Sequence, residues 1–209
     1  MKAYDIQLSE TRDYHIHTNM IGHASPLMSL DNIVQTAQRK GLEEIAVTEH
    51  VRRSSNWVCD YVRVLRGLKT ELRVLIGFEA KVLASDGELD IDPILAEEHL
   101  VIGSFHTFDE PERFFEANVN LAQNPCVDII GHLGLCNDRK LSLSPEQERE
   151  LVNVLKMNQK VVELNSRYCL PASSLLCKLA AAGVRLCYGS DAHALDEIGR
   201  FKWRLPDEI

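Results

Sequence analysis

The sequence predicts an α/β fold in which seven parallel strands alternate with helices and close into a barrel. Three observations point there. Apolar strand patterns alternate with amphipathic helix patterns along the chain. Several strands are apolar runs, such as Asp128-Ile129-Ile130-Gly131, as required where both sheet faces are covered. Histidines and carboxylates recur where strands end, which suits a barrel mouth better than the single switch point of an open sheet.

The elements follow in order. Asp13 to Thr18 is a short strand. Ser29 caps a helix carried by Ile33, Val34 and Ala37, with Arg39 and Lys40 in its last turn and a stop at Gly41. Glu44 to His50 is the second strand, Cys59 to Leu72 a helix, and Arg73 to Leu83 the third strand. Asp92-Pro93 opens a short helix before the strand Leu100 to His106. Glu112 to Gln123 is helical and Val127 to Gly134 the fifth strand. Ser144-Pro145-Glu146-Gln147 reads as a capping box with Pro at the first helical position. Val161 to Arg167 is the sixth strand, Pro171 to Ala182 a helix ended by Gly183, and Arg185 to His193 the seventh strand.

With 209 residues, 45% hydrophobic and 26% charged, the chain is expected to form one domain over residues 1–209. The net charge of −8 argues against long nucleic acid as a partner, because such binders carry a basic stripe. It leaves room for a small anionic ligand. Six cysteines without a C-x-x-C pair read as reduced thiols, hence a cytoplasmic setting. The polar start Met1-Lys2-Ala3-Tyr4-Asp5 has no apolar segment behind it, so no signal peptide is expected. No apolar run approaches the roughly 20 residues that span a membrane.

The chemistry sits in His15, His17, His23, His50, Glu79, His106, His132, Asp191 and His193. His15-Ile16-His17 places two imidazoles on one strand face, roughly 6.6 Å apart in rise, so both can reach one ion. A lone histidine at a strand end is usually a hydrogen-bonded core residue. Seven of the eight in such positions, with only His99 left over, are not accounted for that way. Ligands gathered from nearly every strand end imply more than one ion and hydrolytic chemistry rather than a structural clip. A mixed imidazole–carboxylate set without thiolate suits Zn, Mn or Fe. Gly77, Gly103, Gly131 and Gly189 each shortly precede such a residue, which indicates close packing or a bulge. Glu163, Asn165 and Arg167 alternate on one face of the sixth strand. Arg167 and Arg200 are candidate phosphate clamps, with Arg52 and Arg53 as weaker ones. Trp57 is placed to line a pocket or to pack, and His99 is at the wrong strand end for the mouth.

The set H-x-H, His23, T-E-H, G-F-E, S-F-H, G-H and S-D-A-H, with Gly77-Phe78-Glu79-Ala80 followed by Asp86-Gly87-Glu88-Leu89-Asp90, resembles the polymerase-and-histidinol-phosphatase (PHP) family of metal-dependent phosphoesterases from Asp13 to about Arg200. That resemblance implies a distorted, TIM-like (βα)7 barrel with a trinuclear metal site at the C-terminal mouth. It implies one ion on His15, His17, Glu79 and Asp191, and a second on Glu79, His106 and His132. The third would sit on His23, His50 and His193. The expected function is hydrolysis of a small phosphate monoester, histidinol phosphate or similar, by a metal-bridging hydroxide, with Glu79, Asp191, Arg167 and Arg200 as catalytic residues. Three other readings stay open. An amidohydrolase-like hydrolase also uses H-x-H and a late Asp, commonly with a bridging Lys; Lys81 is the only Lys near Glu79. The others are a nuclease acting on nucleotide ends and an inactive binding module. Oligomeric state is left open by the sequence.

Overall fold

A computed structural model describes residues 4–203; residues 1–3 and 204–209, and with them part of the polar start discussed above, lie outside the described residues. The chain alternates strand and helix: β1 (Arg12–Ile16), α1 (Leu30–Arg39), β2 (Glu44–Val51), α2 (Val58–Arg66), β3 (Arg73–Lys81), α3 (Pro93–Glu98), β4 (Leu100–Ser104), α4 (Phe114–Gln123), β5 (Ile129–Ile130), β6 (Leu135–Cys136), β7 (Arg139–Lys140), α5 (Pro145–Met157), β8 (Val161–Asn165), α6 (Ser173–Ala181) and β9 (Arg185–Gly189). Seven of the strands form one parallel sheet in the order β1-β2-β3-β4-β5-β8-β9. β9 returns to β1 through the parallel bridge Ile16–Ala192, with His17 N–H donating to Ala192 O at 3.0 Å. The result is the nearly closed, TIM-like barrel that the alternation predicts. No helix among the described residues is long and apolar enough to cross a membrane.

Two apolar layers hold it. Tyr14, Ala46, Leu75, Leu100, Ile129, Val161 and Cys187, from all seven strands, are buried in one cluster that plugs the barrel. A larger cluster packs the helices onto its outside. Side chains two apart on a strand share a face, so Leu75 puts Gly77, Glu79 and Lys81 on the barrel axis, and Val161 does the same for Glu163 and Asn165. The sheet thus runs from an apolar floor to a polar mouth by parity alone.

Helix ends follow the sequence signals: Ser29 accepts from Asn32 N–H, and Ser144 and Gln147 form the expected capping box. Boundaries moved where local chemistry intervened. The helix after β2 stops at Arg66, capped by Gly67, rather than reaching Leu72. Pro111–Arg113 forms a 3₁₀ turn before α4. Pro171 precedes α6 instead of opening it. The fifth strand shrinks to two residues because His132 turns to a positive φ of 26°. The β6–β7 hairpin was not anticipated; its turn residues Asn137 and Asp138 take left-handed φ values of 50° and 59°.

At the floor, Tyr14 donates to the Glu44 carboxylate, which also pairs with Arg73 Nη1 at 2.9 Å. Burial, and then the bond to Glu44, push the Tyr14 phenol from 10.0 up to about 12. A folded-state value above the unfolded one means the phenol favours folding below pH 10 and loses that contribution as pH rises through about 12. We expect the thermal midpoint to fall more steeply between pH 10 and 12 for wild type than for Tyr14→Phe, as read by circular dichroism melts. Parallel slopes would show that Tyr14 ionises as it does in the unfolded chain.

Candidate metal centre

The barrel mouth gathers the nine residues from six strands. Glu79 is its hub. Its carboxylate, 1% exposed, lies 3.0 Å from His50 Nδ1 and His132 Nε2, 3.2 Å from His106 Nε2, 3.3 Å from His15 Nε2 and 3.5 Å from His17 Nε2. Burial opposes its ionisation, yet His106, His15 and His50 hold it well below the usual carboxylate range. Asp191 sits 3.5 Å from His17 Nε2 and 3.4 Å from His193 Nδ1, and is likewise held low against burial by His15 and His17. His17 is itself pushed up to about 9, against burial, by Asp191 and Glu49. His193 goes the other way, down to about 4, through burial and then the charge on His17.

The arrangement fits cations. His15 Nε2 and His17 Nε2 face one another at 3.1 Å, a geometry in which two imidazole lone pairs converge on one point. His132 Nδ1 is buried with neither a hydrogen-bond nor an ion-pair partner among the described residues, while His17 Nδ1 and His106 Nε2 lie within ion-pair range of Glu49 and Glu79 without hydrogen-bond geometry. Three groups bring ligand atoms within 4.8 Å of one another: His15, His17 and Glu79; His50, Glu79 and His106; His17, His50 and His193. His23 is exposed, with its ring 4.4 Å from that of His50 and 4.7 Å from that of His193. These donors fit divalent ions of the Zn, Mn and Fe kind. The groups overlap the resemblance-based partition without matching it ligand for ligand, since His17 and His50 are each shared between two groups.

A supporting layer holds these rings. Glu163, fully buried, takes His15 Nδ1 at 2.7 Å on one oxygen and His132 N–H at 2.8 Å on the other. Asn165 bridges Glu163 and Asp191 through its amide nitrogen at 3.2 and 3.1 Å. Glu49 lies 3.4 Å from His17 Nδ1 and accepts from Thr18 N–H at 3.0 Å. Such partners fix the tautomer and direction of a ligand ring. Sequence reasoning passed over Glu49 although it directly precedes His50, because strand parity puts it on the opposite face. His132 and Asp191 both adopt left-handed backbone, with φ of 26° and 54°, the kind of strain that collects at functional sites.

The mouth opens into a cavity of about 990 Å³, lined in part by His23, His50, Arg52, Trp57, Glu79, Lys81, His106, Arg167, Tyr168, Asp191 and His193. Arg167 reaches it, 3.6 Å from Glu197. Arg200 does not line it. Glu197 accepts from the N–H groups of His193 and Ala194, curling the segment after β9 so that Arg200 points outward, 3.7 Å from Asp196. Arg53 is engaged by Glu88 and Leu89 O. Trp57 lines the cavity and also packs on Tyr61. His99 is buried against Phe78, satisfied rather than on the surface.

Comparison with known proteins agrees with this geometry. The PHP domain family model matches residues 13–167. A protein of Acetivibrio thermocellus named "Probable phosphatase" is 31% identical over 94% of this chain and 86% of its own length. A protein assigned as histidinol phosphatase hisK, from Listeria monocytogenes, superposes with a TM-score of 0.74 at 17% identity, covering 90% of this chain and 97% of its own. Histidinol phosphate phosphatase of Lactococcus lactis, solved with Zn, L-histidinol and phosphate, superposes at 0.62 with 18% identity, covering 92% and 94%. The chain belongs to the PHP domain family.

Proposed function

We propose that this chain hydrolyses small phosphate monoesters at a centre of two to three divalent ions, Zn, Mn or Fe. It is a metal-dependent phosphatase of the PHP family. One observation carries the reading: a single buried carboxylate, Glu79, stands 3.0 to 3.5 Å from five imidazoles at the open end of a barrel. In this reading His15, His17, Glu79 and Asp191 hold one ion and Glu79, His106 and His132 a second. His23, His50 and His193 hold the third. When bound, the ions supply an acidified water near neutral pH and Lewis acidity toward the phosphoryl oxygens.

The remaining work falls to the chain's own side chains. Glu163 and Glu49 keep the His15 and His17 rings turned toward the mouth. Arg167, steadied by Glu197, offers a planar pair of donors to a phosphate. Asp191, fixed by Asn165, keeps its carboxylate directed at the same point. The cavity admits a small molecule rather than a folded polynucleotide. A histidinol-type phosphate is the first substrate to try.

The test is metal content by plasma mass spectrometry beside hydrolysis of p-nitrophenyl phosphate and L-histidinol phosphate. Two to three equivalents with turnover are expected. Arg167→Met should lower kcat/KM about 10- to 100-fold, the loss of a charge-assisted phosphate contact, while keeping its metal. One ion or none, with no turnover after Mn or Zn is added back, would sink the proposal. Turnover of an amide or lactone instead would move the chain to the amidohydrolase class.

A further inference from the structure

We infer that Lys81 and Arg52 form a second anion-recognising wall of the cavity, so that the preferred substrate is a phosphate monoester whose leaving group carries its own anion, a carboxylate or a second phosphate. This rests on the phosphatase reading above and replaces its histidinol-type leaving group with an anionic one.

Parity places Lys81 on the barrel axis. It ends β3, two residues beyond Glu79 on the same strand face, and it lines the cavity. Arg52 directly follows β2 and lines the same cavity. In the ring β1-β2-β3-β4-β5-β8-β9, the ends of β2 and β3 stand across the mouth from β8, beyond which Arg167 projects. The histidine–carboxylate centre therefore lies between Arg167 on one wall and Lys81 with Arg52 on the other.

Neither Lys81 nor Arg52 has an ion-pair or hydrogen-bond partner for its side chain among the described residues. The neighbouring Arg53 shows the alternative, since its guanidinium is committed to Glu88 at 2.7 Å and Leu89 O at 2.8 Å. Lys81 is also half-buried, and a partly desolvated cation without a partner is costly until an anion reaches it.

Two other carboxylates line the cavity. Asp90 accepts from Arg53 N–H at 3.0 Å and is not within ion-pair range of Lys81. Asp138 lies on the β6–β7 turn, between β5 and β8 in the chain, hence on the Arg167 side. A cationic leaving group would have to be read there. The wall made by β2 and β3 is the one with two uncommitted cations.

The experiment compares kcat/KM for four esters on metal-loaded enzyme: 3-phosphoglycerate, fructose 1,6-bisphosphate, glycerol 3-phosphate and L-histidinol phosphate. Wild type should prefer one of the two anionic esters over glycerol 3-phosphate by about 10-fold or more, and which one distinguishes carboxylate from phosphate. Lys81→Met should reduce that preference ratio about 10- to 100-fold, chiefly through KM, and Arg52→Met should reduce it less. Lys81→Glu should tilt the ratio toward L-histidinol phosphate. The ratio is insensitive to a uniform loss of folded or metal-loaded enzyme. An unchanged ratio in Lys81→Met, or a wild-type preference for L-histidinol phosphate, overturns the inference while leaving the phosphatase reading intact. No turnover of any ester by metal-loaded wild type overturns both.

Discussion

Glu79→Gln is expected to lose at least one equivalent of metal and nearly all hydrolysis. The substitution conserves shape and removes one charge, so it isolates electrostatics. In the native mouth the Glu79 carboxylate faces five imidazoles within 3.5 Å at 1% exposure. An amide there offers one acceptor and two donors, and the donors meet ring nitrogens that already crowd the point. It also would not neutralise cations held at that point as a carboxylate would. Losing a partner one step removed from an ion already costs about 10- to 100-fold in affinity or activity. Losing the shared hub should therefore cost more than about 100-fold in kcat/KM, together with at least one metal equivalent. Plasma mass spectrometry and p-nitrophenyl phosphate turnover check it. Retention of full metal and turnover would remove Glu79 from the centre.

The same residues show what the sequence makes legible and why. Ligand candidates could be read because a barrel of parallel strands converts position along the chain into position around a ring. His50, His106 and Asp191 are far apart in sequence and adjacent at the mouth, since each closes a strand whose neighbours close beside it. The supporting layer was less legible. Glu163 and Asn165 were visible as a polar face on an apolar strand, but their partners His15, His132 and Asp191 come from other strands. Glu49 was hidden by parity: it alternates with His50 on β2 and so faces away from the mouth, yet it comes within 3.4 Å of His17 Nδ1 on the neighbouring β1, whose pairing with β2 is irregular between Asp13 and Ile16. Arg200 was placed by its spacing from His193, and the Glu197 cap that curls the intervening segment is a three-dimensional fact. The β6–β7 hairpin had a local signal in Asn137-Asp138, too short a strand pattern on either side to be weighed.

Grouping the ligands into individual ions marks a further boundary. Spacing along the chain says which strand a residue ends, not how far its side chain reaches. His17 and His50, their rings stacked 4.5 Å apart, each come within range of two groups.

Gly189→Ala should be the most damaging single methyl that can be added to this chain's mouth. The backbone at Gly189 is not left-handed, so the change costs nothing through φ. The added Cβ would instead fall on the Glu163 carboxylate, closer than any real contact to Oε1, and 2.7 Å from Cδ and 2.9 Å from Cγ. Glu163 has nowhere cheap to go. One oxygen is held to His15 Nδ1, the other to His132 N–H and the Asn165 amide, all in a site shut off from water. Pushing it aside leaves buried polar groups unmatched, at about 1–3 kcal/mol each. It also frees the His15 ring, with an expected metal-affinity loss of about 10- to 100-fold. The thermal midpoint should fall by roughly 5–10 °C. Gly67→Ala, whose new Cβ would meet only ordinary contacts at 3.4 and 3.5 Å, should leave the midpoint nearly unchanged. The mechanism is separable from a generic packing defect by a double-mutant cycle. In a Glu163→Ala background the clash partner is gone, so adding Gly189→Ala should cost little, giving a coupling of about 1–3 kcal/mol. If Gly189→Ala costs the same with and without the Glu163 carboxylate, the cavity at Gly189 is not there to house it.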